Sequence, residues 1–231
     1  MFKKLLSLFS SQPSQKSQQS QPTIVMSKKP SKPKVAPTRI GELGEYKINI
    51  QLDQLPKECQ HLNDLLIPNP KSRSGYSQVD HLVISPYGLF VIETKNYNGE
   101  IKGARTDKYW SVSNRFKMYN PLMQNYGHIK AVELLLSEFN NVKYISMISF
   151  TMRCRFSIDP ELRKIGSDEL IVYDVELSEF IHRKITRLKV EQTSPRFTNE
   201  EVIFIKNIIA KANITDPLIR AQHIEKVKKS N

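Results

Sequence analysis

Cysteine and long apolar runs are scarce in this 231-residue chain. Its two cysteines, Cys59 and Cys154, stand far apart without a C-x-x-C pair, which argues against a zinc module and a disulfide framework. One disulfide and two free thiols are both open, and a reducing cytosol is the simpler prediction. Because no run of about 18 apolar residues occurs, the sequence predicts no membrane-spanning helix. The opening MFKKLLSLFS has too short an apolar part for a signal peptide, which again favours the cytoplasm.

Acidic residues are absent from residues 1–40, which hold eight of the basic residues behind the net charge of +12. The remainder of the chain therefore has a formal charge of only +4. A basic chain favours a polyanionic partner, either nucleic acid or an anionic membrane surface. A solvated basic tail without any partner is the alternative.

Large apolar residues are also rare in residues 10–38, where Ser, Gln, Pro and Lys dominate. Such a segment buries too little apolar surface to offset the entropy lost on ordering. We therefore predict a flexible basic tail over residues 1–38, with a short apolar peptide at its start. A compact domain is predicted over residues 39–213 and a basic C-terminal helix over residues 214–231.

The compact region opens with a helix and a hairpin. RIGELGEYKINIQLDQL has roughly helical apolar spacing and predicts a first helix, with Glu42 and Glu45 near its start. QVDHLVISPYGLFVIETKN predicts a β-hairpin, and short strands are predicted around EIKGA and Trp110. Asn120, followed by a proline, predicts the start of a helix that continues to about Phe139.

Further strands and helices follow in the C-terminal half. The predicted elements are strands in VKYISMISFTMRCRF and ELIVYDV, a short helix in VELSEFIHRKI, and a helix in TNEEVIFIKNIIAKAN. Thr198 and Glu201 fit a capping box, and Asp216 before a proline predicts the start of a last helix. This order predicts an α/β fold in which helices flank a mixed central β-sheet.

The hairpin carries charge where a buried hairpin should be apolar. Alternation along a strand puts Glu93 and Lys95 on one face and turns Thr94 to the other. A two-residue loop sets Asp80 opposite Glu93, whereas a four-residue loop sets it opposite Lys95. In both registers the three charged side chains share a face.

Two carboxylates about 5 Å apart on a half-buried surface repel each other and lose hydration, unless a positive charge lies between them. Lys95 can supply one charge, and Mg²⁺ or Mn²⁺, which prefer hard oxygen ligands, can supply two. The alternative is a solvent-facing cluster of weak salt bridges.

Several separated motifs resemble one known family. GELGE, QVDHLVISPYGLFVIETKNYNGEIKG, Trp110 and NPLMQNYGHIKAVELLL, in this order, resemble the NERD (nuclease-related domain) family, a branch of the PD-(D/E)xK phosphodiesterases. The resemblance covers residues 39–139. It implies a restriction-endonuclease-like core and a nuclease that requires Mg²⁺ or Mn²⁺ and hydrolyses phosphodiester bonds, with DNA as the favoured substrate.

The resemblance also implies roles for individual residues. Asp80 and Glu93 would be metal ligands, with Glu45 as a further ligand or outer contact and Glu42 as the second choice for that role. Lys95 would orient the attacking water and meet charge that develops on the phosphate.

Two residues of the next helix are candidates for contact with substrate. Gln124 resembles a helix glutamine that approaches the substrate phosphate. His128 stands where some relatives carry a tyrosine, so substrate contact and simple packing are both open.

His81 alternates to the opposite face of the hairpin, where packing or a structural hydrogen bond is expected, and Trp110 is expected in the core.

The N-terminal peptide suggests recruitment. Leu6, Ser7, Leu8 and Phe9 resemble the pentapeptide that binds the DNA sliding clamp, although Leu5 replaces its usual glutamine. The alternatives are peripheral binding to the inner face of a membrane and no partner at all. A non-catalytic nucleic-acid-binding or adaptor module is the competing function. The sequence leaves open whether a substrate is single- or double-stranded, and whether it is DNA or RNA.

Overall fold

The computed structural model describes residues 46–229, which form nine strands, five α-helices and two short 3-10 helices, at Pro160–Arg163 and Asp174–Glu176. The strands are β1 (Gln60–Pro68), β2 (Tyr76–Ser85), β3 (Gly88–Lys95), β4 (Gly99–Gly103), β5 (Tyr109–Val112), β6 (Phe116–Tyr119), β7 (Tyr144–Phe150), β8 (Cys154–Ile158) and β9 (Glu169–Tyr173). The helices are α1 (residues 46–52), α2 (Pro121–Leu135), α3 (Leu177–Glu191), α4 (Asn199–Ala212) and α5 (Pro217–Lys228).

The strands form two mixed sheets. The first has the order β1-β2-β3-β7-β9, in which β1, β2 and β3 are antiparallel and β7 and β9 run parallel to β3. The second has the order β6-β5-β4-β8, with only the β4–β8 pair parallel. The predicted α/β class is confirmed, and the arrangement is consistent with a restriction-endonuclease-like fold.

Helices cover both faces of the first sheet. Leu89 and Val91 of β3 pack in the cluster that includes α2 and α4, whereas Phe90 and Ile92 pack in the cluster that includes α1 and α3. A strand covered on both faces needs a nearly continuous apolar run, which explains the sequence GLFVI. Glu93 follows this run two residues after Val91 and four after Leu89. Its side chain therefore lies on the same face of the sheet, which α2 covers.

The second sheet packs against the first through its own apolar cluster. Trp110 and Ile101 from the second sheet share this cluster with Ile148 and Phe150 from the first. Trp110 is fully buried, as predicted, and its indole N–H donates to the Ala104 carbonyl at 2.9 Å. This cluster fixes the β5–β6 hairpin beside the open end of β3.

Several local predictions are confirmed and others need correction. The caps at Asn120, Thr198 and Asp216 are present. Helix α2 ends at Leu135 rather than near Phe139, α3 runs past the short helix predicted there, and β1 and β6 were not predicted. The two cysteines are free thiols. Within residues 46–229, no helix is long and apolar enough to cross a membrane.

Candidate active site

The hairpin closes through a two-residue loop, which decides its register. Ser85 pairs with Gly88 and His81 pairs with Ile92, so the next position on each strand sets Asp80 opposite Glu93. The Ser85 hydroxyl stabilises the loop by donating to the Gly88 carbonyl at 2.8 Å. Of the two registers that the sequence allowed, the structure therefore has the one that brings the carboxylates together.

Glu93 lies at the centre of a polar network. Its Oε1 accepts from Lys95 Nζ at 2.6 Å and from Gln124 Nε2 at 2.7 Å. Lys95 Nζ also donates to Gln124 Oε1 at 2.9 Å, which closes a triangle of three side chains. Glu93 is 4% exposed, so this network compensates a carboxylate that is almost entirely removed from water. The predicted convergence of Gln124 on this site is confirmed.

His128 lies one helical turn beyond Gln124 and also approaches Glu93. Its Nε2 is 3.2 Å from Glu93 Oε2, within ion-pair distance, but the geometry does not make an aligned hydrogen bond. His128 therefore faces the same polar site and is not packed in the apolar core. A contact between His128 and substrate stays a prediction.

Asp80 is held by Thr94, against expectation. Asp80 Oδ2 accepts from the Thr94 backbone N–H at 2.7 Å and from its hydroxyl at 2.6 Å. Strand β3 stays paired with β7 through Thr94 and Lys95, and Lys95 contacts Glu93, which agrees with the predicted alternation along β3. The β2–β3 ladder ends at His81 and Ile92, and beyond that pair the Asp80 carboxylate takes the place of a backbone acceptor for Thr94.

The two carboxylates have different electrostatic surroundings. Burial raises the pKa of Asp80 to about 6, and the nearby charge of Glu93 adds to the increase, although the bonds from Thr94 oppose it. Burial also opposes ionisation of Glu93, but Lys95 and His128 outweigh it and hold the pKa of Glu93 below its usual value. The site therefore holds one well-compensated carboxylate beside one on which the charge of Lys95 has a smaller effect than burial, Glu93 or Thr94.

Buried asparagines fix the helix that supplies Gln124 and His128. Asn120 caps α2 through Leu122 N and donates to the Asp107 carbonyl at 2.7 Å. Asn125 donates to the Val91 carbonyl and to the Ser146 hydroxyl, both at 2.8 Å, and so ties α2 to β3 and β7. Sequence reasoning missed Asn125, although an asparagine within the apolar helix NPLMQNYGHIK is a usable signal.

The carboxylates line the floor of a cleft of about 1420 Å³. Asp80, Glu93, Lys95, Gln124 and His128 all line it. Glu42 and Glu45 lie outside the described residues. Within the part of the chain that the structure describes, no three His, Cys, Asp or Glu residues come together as a ready metal site. The described candidate ligands are thus Asp80 and Glu93, as hard oxygen donors.

Known proteins match the same part of the chain. The family model described as nuclease-related domain matches residues 40–151. A protein of Bacillus anthracis, described as uncharacterized, is 30% identical over 189 residues, covering 80% of this chain and 82% of that relative. The chain belongs to the nuclease-related domain family. No solved structure gives a significant match.

The nuclease-related domain match includes the hairpin and α2. It therefore contains Asp80, Glu93, Lys95, Gln124 and His128, and nearly coincides with the residues 39–139 that carry the resemblance. His81, next to Asp80, lies on the opposite face as predicted and is 1% exposed. Neither ring nitrogen of His81 has a hydrogen-bond partner, so the structure supports the packing alternative and not the hydrogen-bonded one.

Proposed function

We propose that this protein is a metal-dependent nuclease that hydrolyses phosphodiester bonds in DNA. The observation that carries the proposal is the meeting of Asp80, Glu93, Lys95 and Gln124 at the floor of one open cleft. A module that only bound nucleic acid would gain nothing from two carboxylates facing a polyanion. Membership of the nuclease-related domain family supports the same conclusion.

The described residues fit a divalent metal ion. Asp80 is a partly buried carboxylate beside a second one, and among residues 46–229 its hydrogen bonds go to Oδ2 and none to Oδ1. A cation that carries two positive charges would relieve this repulsion. Asp80 and Glu93, joined by Glu45 from outside the described range, would hold Mg²⁺ or Mn²⁺. Such an ion, when bound, acidifies its water and stabilises charge on phosphate oxygens.

The protein's own groups would bind and orient the reactants. Lys95 Nζ donates to Glu93 and to Gln124, and an ammonium has three donors, so one donor is left for a water or a phosphate oxygen. Glu93 and Gln124 fix the direction of that third donor. Thr94 holds Asp80 in one rotamer. Gln124 and His128 would meet the substrate phosphate beside the cleft floor.

Location and recruitment are proposed from the sequence. We propose a cytoplasmic location, a nuclease domain over residues 39–213, and recruitment through the N-terminal peptide. Leu6, Ser7, Leu8 and Phe9 would bind the sliding clamp, or the peptide would contact the inner face of the membrane. These residues lie outside the described part of the chain.

A nuclease assay tests the function directly. Purified full-length protein is incubated with linear, circular and single-stranded DNA and with RNA, in Mg²⁺, Mn²⁺ or EDTA. We expect cleavage of DNA in Mg²⁺ or Mn²⁺ and none in EDTA. Asp80→Asn, purified in parallel, controls for a contaminating nuclease. Binding without cleavage under every condition would favour the adaptor alternative.

A further inference from the structure

Exposed tyrosines form one wall of the cleft beside the candidate active site. Tyr109 of β5 and Tyr119 of β6 are direct partners across the hairpin, with ring centroids 6.1 Å apart. They are 50% and 43% exposed, whereas Trp110 and Met118, on the other face of the hairpin, are buried. The hairpin therefore anchors itself through one face and presents the paired tyrosines on the other.

Helix α2 continues this wall. Met123, Tyr126 and Lys130 line the cleft at spacings of three and four residues, which puts them on one side of the helix. Tyr126 is 58% exposed, and Lys130 Nζ lies 5.2 Å from its ring centroid. Gln124 lies beside this row and reaches the cleft floor. The aromatic wall thus begins next to Lys95 and Glu93 and leads away from them.

The charges on the walls differ from those on the floor. Among the described residues, the cleft walls carry five basic side chains and one acidic one, and the acidic one is Glu133, which pairs with Lys130. Lys117 projects from β6 beside Tyr119, and Lys71 lies on the loop between β1 and β2. Apart from Glu133, the negative charge lies on the floor, where the proposed metal ion would bind, while the walls suit a polyanion.

This inference rests on the proposed nuclease function and names its substrate class. We propose that the cleft binds an unpaired nucleic-acid strand, whose bases stack on Tyr109, Tyr119 and Tyr126 while its phosphates face the wall lysines. Proteins that bind single strands combine aromatic platforms with a basic groove, because every unpaired base has a free π-face. In a duplex these faces are covered by neighbouring base pairs, so the wall would lack a ligand.

Ordinary surface exposure does not account for the arrangement of the tyrosines. A single exposed aromatic residue is normal on a protein surface and needs no ligand. Here two tyrosines are aligned by strand pairing, a third follows on α2, and lysines lie over two of the rings, with Lys108 Nζ 5.5 Å from the Tyr109 centroid. Lys108 lies outside the cleft lining, whereas Lys117 and Lys130 line the cleft with the three tyrosines. Aromatic rings and cations along one cleft are the pattern that a flexible polyanion with planar bases requires.

A binding measurement without divalent metal tests this inference separately from catalysis. Fluorescence anisotropy in EDTA would compare one labelled oligonucleotide sequence as a single strand and as a duplex. We expect wild-type protein to bind the single strand more tightly. Tyr109→Ala combined with Tyr119→Ala should weaken single-strand binding at least about fivefold for each lost stacking platform. Duplex binding by the same variant should stay unchanged.

Two controls distinguish stacking from indirect effects of the substitutions. Tyr109→Phe combined with Tyr119→Phe keeps the ring faces and should keep single-strand affinity. Phe204→Ala removes a ring that is 58% exposed on α4, outside the cleft, and should change neither affinity. Tighter duplex binding by wild type, or equal losses in the Phe and Ala double variants, would overturn the inference.

The binding result is independent of the nuclease assay. Metal-dependent cleavage together with preferred binding of duplex would leave the nuclease function standing and refute the unpaired strand. Tyrosine-dependent binding of single strands without cleavage would support the unpaired strand as the ligand and refute the nuclease function. Both measurements use the full-length chain.

Discussion

Thr94 donates its backbone N–H and its hydroxyl to the same oxygen of Asp80, at 2.7 and 2.6 Å. One residue therefore fixes the carboxylate that would otherwise be the least constrained group in the site. Both bonds favour the ionised form and limit the increase in the pKa of Asp80 caused by burial.

Loss of the Thr94 hydroxyl should impair catalysis more than folding. Thr94→Val keeps the shape and the backbone N–H but removes one hydrogen bond to a charged group. The lost bond contributes about 1.5–3 kcal/mol to the stability of the ionised form of Asp80. We expect a higher pKa for Asp80 and an acid limb of the activity profile that moves to higher pH. The rate of DNA cleavage across pH measures this shift. Thr94→Ser, which keeps the hydroxyl, should match wild type, and an unshifted profile in Thr94→Val would contradict the role of the bond.

Asp80→Asn should lose activity and yet stabilise the metal-free protein at neutral pH. The pKa of Asp80 is about 6 in the folded protein and near 3.8 when unfolded, so the folded state binds more protons between these values. Stability is therefore lost as pH rises from about 4 to 6, by roughly 3 kcal/mol in total. Urea unfolding in EDTA should show similar stabilities at pH 4 and a more stable Asp80→Asn at pH 7. Equal stabilities at pH 7 would contradict the account of Asp80 as a partly buried carboxylate repelled by Glu93.

His81 should produce the opposite pH dependence. Burial, with a smaller effect of His61, lowers the pKa of His81 to about 4, so the unfolded state binds more protons below pH 6.5. Stability is lost as pH falls from about 6.5 to 4, again by roughly 3 kcal/mol. His81→Leu should remove this acid loss, because neither ring nitrogen has a hydrogen bond to lose. Urea unfolding at pH 4.5 and 7.5 measures it, and an unchanged acid loss would exclude His81 as its source.

Lys95 should stabilise the fold as well as act in catalysis. It pairs with Glu93 at 2.6 Å, and the side chains are 16% and 5% exposed. Lys95→Met leaves a buried carboxylate without its main cation, which costs about 3–5 kcal/mol and raises the pKa of Glu93. Glu93→Gln combined with Lys95→Met should recover most of the stability and none of the activity. Unfolding of the single and double variants decides this, and additive losses would contradict the coupling.

Much of this site could be predicted from alternation along the hairpin. The common face of Asp80, Glu93 and Lys95 follows from a period of two, whereas Gln124 was expected there only through the family resemblance. The loop length was not predictable, because a proline at its first position disfavours the turns that are usual in two-residue hairpins. The contact between Thr94 and Asp80 was not predicted, because sequence does not reveal that the β2–β3 ladder stops at His81 and Ile92.

Long-range features were the least predictable. Strand β1 was not predicted, because apolar and polar residues alternate poorly in QHLNDLLIP and Asp64 within it has a positive φ of 48°. The aromatic wall was not predicted, because Tyr109 and Tyr119 are ten residues apart and meet only through the β5–β6 register. The sequence thus predicted which charged side chains meet at the cleft floor, while the arrangement of the walls required the fold.

Single-turnover cleavage of labelled DNA after addition of Mg²⁺ or Mn²⁺ is the sharpest test of a catalytic metal site at the cleft floor. Wild type, Asp80→Asn and Lys95→Met would be compared with Lys143→Ala, which removes a partly exposed ion pair with Asp168 away from the cleft. We predict metal-dependent cleavage by wild type and Lys143→Ala, and at least about a hundredfold loss in the two variants of the site, as for removal of a transition-state contact. Equal cleavage by all four proteins, or wild-type cleavage that persists in EDTA, would contradict the proposed metal-dependent nuclease.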